Sequence, residues 1–236
     1  MTKARAGGLL LLVCALAAAA WAIGRDGGLG PRKDKPVLLL LTSLPLVFGE
    51  EFSLDQKGSP LLAALNSRYR VRPVDVTDAA TLARGRLMMI AQPRAQTAEN
   101  LVALDDWVRG GGRLLLFADP MLEWPSSKAL GDPTRPPPMF ADTGLLGHWG
   151  LRLDAPDQRG PAKGRISGHP VVTVSRGSLA GSCAIEPGGF AARCAIGKGT
   201  AVIVADADLL DVEGLGAGAS GNAQAVLGLL ESLESQ

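Results

Sequence analysis

Aromatic side chains make up only 4% of this 236-residue chain, and its formal net charge is +1. Nucleic-acid binding by bulk electrostatics needs a basic surplus, and base stacking needs aromatics set among cations. Neither condition is met. Histidine is nearly absent: only His148 and His169 occur, and neither has an H-x-x-x-H or similar partner. A zinc site is therefore not expected, and both read as loop or capping residues. No G-x-S-x-G is present, and no G-x-C-x-G follows the third predicted strand. The exposed nucleophile that α/β hydrolases present at a strand-to-helix elbow is missing. Cysteine is limited to Cys14, Cys183 and Cys194, too few for a disulfide-built scaffold.

Apolar content, by contrast, is 47% against 20% charged residues, enough for one sizeable buried domain or two small ones. After a charged N-terminus (1–6, with Lys3 and Arg5) comes GGLLLLVCALAAAAWAI, residues 7–23, a run of 17 without a charge. It is at the short limit for a membrane span and long for a signal-peptide core. An uncleaved anchor is the expectation, with Trp21 suited to an interface. Cleavage at Ala20-Trp21-Ala22 and lipid attachment at Cys14 are the alternatives. Each exports the bulk of the chain. The expected location is the bacterial inner membrane, single pass, with the globular domain in the periplasm, or the periplasm after cleavage. Residues 24–35, GRDGGLGPRKDK, read as a Gly-rich linker, and 36–236 as the α/β domain.

Within that domain, PVLLLLTS (36–43), RLMMIAQP (86–93), RLLLFADP (113–120) and TAVIVAD (200–206) are continuous apolar runs ending in small or polar residues. Such runs suit strands buried on both faces of a parallel sheet. YRVRPVDV supplies a further strand after a helix opened by Ser59-Pro60, and a short helical stretch lies near 78–84. Thr97 caps a helix carrying Leu101, Leu104 and Val108 on one face, and Gly110-Gly111-Gly112 ends it. Alternation of strand and helix over 36–120 argues for a doubly wound sheet. Six prolines in 120–138 then mark a stiff excursion. A short helix near 140–147 and β segments near 151–154 and 170–175 follow, and Asn222 is expected to cap a last helix.

Residues 181–199 read as a hairpin about Gly188-Gly189, which sets Cys183 opposite Cys194. With a two-residue turn, that pair falls at the wider, hydrogen-bonded spacing. A disulfide in an oxidising compartment and two buried thiols are the two readings.

VADADLLDVEGLGAGASGNAQ (204–224) offers Asp206, Asp208 and Asp211 as a carboxylate cluster, and Gly216, Gly218 and Gly221 as a G-x-G-x-x-G match. The glycines stand too far beyond the strand for a dinucleotide fingerprint, so no nucleotide cofactor is expected. D-x-D-x-x-D lacks the central Gly and later Glu of a calcium loop, so no metal is expected either. Turn and cap chemistry accounts for the aspartates, and ligand or partner contact is the functional alternative.

QTAENLVALDDWVRGGGRLLLFADP (96–120), with MMIAQP just upstream, resembles the helix-Gly-Gly-strand-Asp-Pro segment of GldG-like proteins, auxiliary subunits of gliding-type and uncharacterised ABC transport systems. GKGTAVIVADADLL and the closing GNAQAVLGLLESL are similar to the ending of that family and of the related DUF4350 domains. The resemblance covers 36–120 and 196–234. It implies a class I glutamine amidotransferase-like fold without its nucleophile, membrane-anchored and acting as a non-catalytic partner of an ABC permease and ATPase. It transfers no catalytic residue.

The combined expectation is an α/β, doubly wound, mostly parallel sheet of amidotransferase-like or flavodoxin-like kind, with a β-hairpin insertion (within 121–195) and one N-terminal transmembrane or signal segment. Ser43, Gln92, Asp119, Asp206 and Asp208 should converge at the C-terminal edge of the sheet with Trp124 alongside, forming a partner or ligand edge. The rival is an exported hydrolase or carbohydrate-active enzyme using Asp119 and Asp206 as its carboxylate pair.

Overall fold

A computed structural model describes residues 35–49 and 58–235. The expected N-terminal segment, 7–23, lies outside the described residues. Among those described, no helix is long and apolar enough to cross a membrane.

Strand β1 (Val37–Thr42) shows why its apolar run is unbroken. Leu38 and Leu40 point into one core, with helices α1 (Pro60–Arg68) and α5 (Asn222–Glu234), while Leu39 and Leu41 point into the other. That second core holds α2 (Ala79–Leu82) and α3 (Ala98–Arg109). Successive side chains of a strand alternate faces, so a strand covered on both sides must be apolar throughout. The same logic builds β3 (Leu87–Ala91), β4 (Arg113–Phe117) and, at the far end of the chain, β11 (Gly199–Val204). β2 (Arg70–Pro73) is different: it is an edge strand, largely exposed, and its Pro73 is tolerated there.

Helix ends follow local chemistry. Ser59 Oγ accepts the Leu62 N–H at 3.1 Å ahead of Pro60, and Thr97 Oγ1 accepts the Asn100 N–H at 3.3 Å. α3 stops at its glycine triplet, where Gly111 takes φ +108° and a side chain on Gly112 would collide with the Trp107 ring.

Between β4 and β11 the chain forms α4 (Leu145–His148), β5 (Leu151–Asp154), β6 (Pro161–Ile166), β7 (His169–Val174), β8 (Ser178–Gly181), β9 (Ala184–Ile185) and β10 (Ala191–Ile196). The main sheet has the order β2-β1-β3-β4-β11-β10-β9; the first five strands are parallel, β10 pairs antiparallel with β11, and β9 pairs antiparallel with β10. β5–β8 and β6–β7 form separate two-stranded ribbons. The hairpin is thus a continuation of the main sheet past β11, because β10 pairs with β11 along its whole length.

Two local expectations need correction. The hairpin turn is longer than two residues: the Glu186 N–H donates to Ala191 O at 2.8 Å and the Gly189 N–H to Glu186 O at 2.9 Å. This moves the hydrogen-bonded positions by one, so Cys183 and Cys194 fall at the narrower, non-hydrogen-bonded spacing. A disulfide joins them with a Cα–Cα distance of 4.9 Å. Asn222, expected as a cap, is instead the first residue of α5, and Gly221 precedes it. Its side chain accepts the Val172 N–H at 3.1 Å and donates to Val172 O and Leu209 O, each at 2.8 Å.

Candidate functional site

β1 and β3 are the strands where the sheet's order reverses, and the crevice beyond their C-terminal ends is where open α/β sheets place ligands. Ser43 and Gln92 stand at those two ends. Gln92 has φ +43°, a backbone conformation that costs a non-glycine residue about 1–3 kcal/mol. Its surroundings hold it there: the Ser43 hydroxyl donates to Gln92 O. Gln92 Oε1 accepts the Asp119 N–H at 3.0 Å, and its Nε2 donates to Asp119 O at 3.3 Å and Pro137 O at 3.1 Å. The amide thus grips the end of β4 and the Pro-rich loop together.

Asp119, two residues past β4, spends both carboxylate oxygens on backbone. Oδ1 accepts the Met121 N–H at 2.8 Å, and Oδ2 accepts those of Ala207 at 2.8 Å and Asp208 at 3.3 Å. Asp206 Oδ1 accepts the Thr173 hydroxyl at 2.6 Å and the Leu209 N–H at 3.0 Å. It fastens the β6–β7 ribbon and caps the 3-10 turn Asp208–Leu210. Asp208 Oδ2 accepts the Glu123 N–H at 2.9 Å. Glu123 in turn receives Ser175 Oγ at 2.8 Å and Arg159 Nε at 3.0 Å.

The three aspartates are 1–2% exposed. Burial therefore dominates their ionisation. It raises Asp119 above the usual carboxylate range despite the N–H donors, and it lifts Asp206 well above, reinforced by the neighbouring Asp119 charge. The Oδ2 of Asp206 is buried with no hydrogen-bond partner among the described residues. Asp208 is pushed up to about 7, again first by burial and then by Asp119, Glu123 and Asp211. Glu123 goes the other way, held low by Ser175 and Arg159.

The structure gathers Ser43, Gln92, Asp119 and Asp208 into one hydrogen-bonded cluster beneath the loops, with Asp206 near Asp119 but bonded instead to Thr173 and Leu209. Trp124 stands apart, lining a cavity of about 220 Å³ with Pro45, Ser59, Leu210 and Asp211. Among the described residues, no group of three or more His, Cys, Asp or Glu is arranged to hold a metal ion. Sequence reasoning missed Thr173, Ser175 and Glu123: Thr173 bonds Asp206 33 residues away, and Glu123 bonds Ser175 and Asp208, 52 and 85 residues away. It missed β6 as well, although Ser167-Gly168, with φ +46° and +83°, is a two-residue hairpin signal.

A family model described as an ABC-type uncharacterized transport system matches residues 35–158. The chain belongs to this family. The match to the ABC-type transport family runs through the Pro-rich loop, which the sequence resemblance left out, and ends before the closing strand and helix. No curated protein matches the chain significantly. Among solved structures, the Cytoplasmic Protein STM1381 from Salmonella typhimurium LT2 is similar with a TM-score of 0.55 at 12% identity, over 84% of this chain and 99% of that one. The Cytoplasmic Protein STM3548 from Salmonella typhimurium gives 0.52 at 10% identity, over 84% and 98%. The Exo-beta-1,4-mannosidase Op5Man5 from Opitutaceae bacterium strain TAV5 gives 0.50 at 13% identity, over 84% of this chain but 36% of the enzyme. The family member thus spans about a third of the length of that glycosidase. At such identities the likeness is one of fold.

Proposed function

We infer that this member of the ABC-type transport family is a non-catalytic accessory module, tethered to the envelope through residues 7–23, with its folded unit in the periplasm. The observation that carries the non-catalytic reading is the use made of Asp119: both oxygens are committed to three backbone N–H groups. A general acid or base needs an oxygen facing substrate. Here the carboxylates hold together the loops after β4 and β11, and those loops, with Trp124 beside them, are the surface a partner would meet. An exported location is supported by the Cys183–Cys194 disulfide. The finer resemblance, to GldG-like proteins of amidotransferase-like fold, is supported by the helix-Gly-Gly-strand-Asp-Pro segment.

The test is a gentle-detergent pull-down of the tagged full-length chain from its native membrane. Recovery of a permease and its ATPase is expected; a soluble, processed chain with no partner would overturn the reading. Asp119→Ala leaves two buried N–H groups and one half-buried N–H without an acceptor. It should lower stability by about 3 kcal/mol or more, visible in a thermal melt, while partner capture by the folded fraction persists. The competing enzyme reading predicts the reverse for Asp119→Asn and Asp206→Asn: intact melts, and loss of a glycoside- or ester-cleaving activity found by substrate screening.

A further inference from the structure

The opposite edge of the sheet carries a charge pattern that the reading above does not use. Each of the five parallel strands is preceded or opened by a cation: Lys35 before β1, Arg70 in β2, Arg86 before β3, Arg113 in β4 and Lys198 before β11. Register aligns these positions in one row, since Val37 pairs with Arg70, Leu87 with Arg113, and Arg113 with Thr200. At a strand spacing of about 4.8 Å the row extends about 19 Å.

Backbone contacts close the row into a continuous rim. The Arg113 N–H donates to Arg86 O at 2.9 Å, and the Lys198 N–H to Arg109 O at 2.9 Å. Gly197 sits so close to Arg109 that a Cβ there would come within 2.7 Å of its carbonyl oxygen. Carboxylates on this side are largely engaged: Asp105 bonds Arg109 at 2.7 Å, Glu231 pairs with Arg68 at 3.4 Å, and Glu234 accepts the Tyr69 hydroxyl at 3.0 Å. Asp106 is also on the last turn of α3. The C-terminal ends of α1 and α3 meet the rim, and Arg68 and Arg109 complement their dipoles. Arg86, Arg113 and Lys198 form no ion pair among the described residues, and Arg86 and Lys198 are exposed.

The acidic residues that follow the strands (Asp75, Asp78, Asp119, Asp206, Asp208, Asp211) lie at the other edge. The basic edge is also where the chain enters this unit, at Lys35, directly after Arg25, Arg32 and Lys33 and the apolar run 7–23. Juxtamembrane cations attract anionic headgroups within a Debye length of the surface. Beside the rim, Leu82, Ala83 and Trp107 line an apolar depression of about 330 Å³, and tryptophan is enriched at bilayer interfaces.

We propose that the N-terminal edge of the sheet is a membrane-facing surface that lies on anionic lipid headgroups, so that the C-terminal edge and its loops point away from the bilayer. This rests on the anchored reading above and adds an orientation to it. The experiment is amine-reactive footprinting of the full-length chain with nanodiscs of pure phosphatidylcholine or of phosphatidylcholine with 30% phosphatidylglycerol, read by mass spectrometry. Lys198 belongs to the rim, whereas Lys128 and Lys163 do not and serve as internal controls. In anionic discs Lys198 should label about tenfold more slowly than in neutral ones. Lys128 and Lys163 should not change, and about 0.5 M salt should remove the difference. Arg86→Gln with Arg113→Gln, checked for folding by a thermal melt, should remove most of the protection. Equal labelling of Lys198 in both discs overturns the proposal, as does protection that survives salt and the double substitution. Gel filtration reads anchoring separately. A chain that stays outside the disc but is shielded at Lys198 by anionic lipid keeps the surface and removes the anchor. A chain outside the disc and unshielded removes both.

Discussion

Asp208 is the side chain from which a pH dependence of stability is expected. Its carboxyl is raised to about 7 in the folded chain, first by burial, against an ordinary value of 3.8. Between those two values the folded state binds a proton that the unfolded state has released. Stability conferred by this group therefore falls as pH rises from about 4 to about 7 and is flat outside that window. Asp208→Asn keeps an oxygen for the Glu123 N–H but cannot ionise. Urea titrations at pH 5 and pH 7.5 should show a smaller loss of stability with rising pH in the variant than in the natural chain. Equal slopes would mean that Asp208 is not the group responsible. None of this was visible in D-x-D-x-x-D itself. Sequence spacing identified turn and cap chemistry at Asp206, which does cap Leu209. The role of Asp119 depends on Ala207 and Asp208, 88 and 89 residues away, and only the pairing of β4 with β11 brings them together.

At the scale of elements, what the sequence revealed divides by burial. β1, β3, β4 and β11 were legible because a strand covered on both faces leaves an apolar run with few alternatives. α3 was legible because Thr97, Glu99, Arg109 and the glycine triplet mark both ends. β6 was not, since a ribbon half open to solvent mixes Lys163, Gly164 and Arg165 with apolar residues, and β8, Ser178–Gly181, is too short to show a period. Asn222 misled for a related reason. The β6–β7 ribbon leaves the outward N–H and C=O of Val172 unpaired, and a side chain from another element satisfies them. In the β9–β10 hairpin, turn length decided the spacing of the cysteines, and the bond closes a loop of sequence separation 11. Loop-closure entropy assigns such a bond about 3 kcal/mol. Cys183→Ser with Cys194→Ser should lower Tm by about 6–12 °C. Adding reductant to the natural chain should reproduce the shift, and a melt indifferent to both changes would mean the bond contributes nothing.

For the whole molecule, the question is whether residues 35–236, one compact unit, unfold as one. The two apolar cores lie on opposite faces of a single sheet, so neither survives loss of the other: Leu38 and Leu39 are neighbours in one strand. The weaker link is the region between β4 and β11. It is held by the Thr173–Asp206 and Asn222–Val172 hydrogen bonds on one side, and on the other by Leu151 and Leu179 packed into the second core. Both attachments are buried, where an interrupted hydrogen bond costs about 1–3 kcal/mol and an apolar side chain contributes a similar amount. We expect residues 35–236, produced without 1–34, to give one cooperative urea transition. Far-UV circular dichroism follows the whole sheet. Tryptophan fluorescence follows Trp107 and Trp149, packed with the second core, and Trp124, packed with the first. Coincident midpoints would show that the ribbons, both cores and the loops tied by Asp119 form one cooperative unit. An early fluorescence change would place the first opening at those ties, and the surface proposed to meet a partner would then be the part of the molecule easiest to remodel.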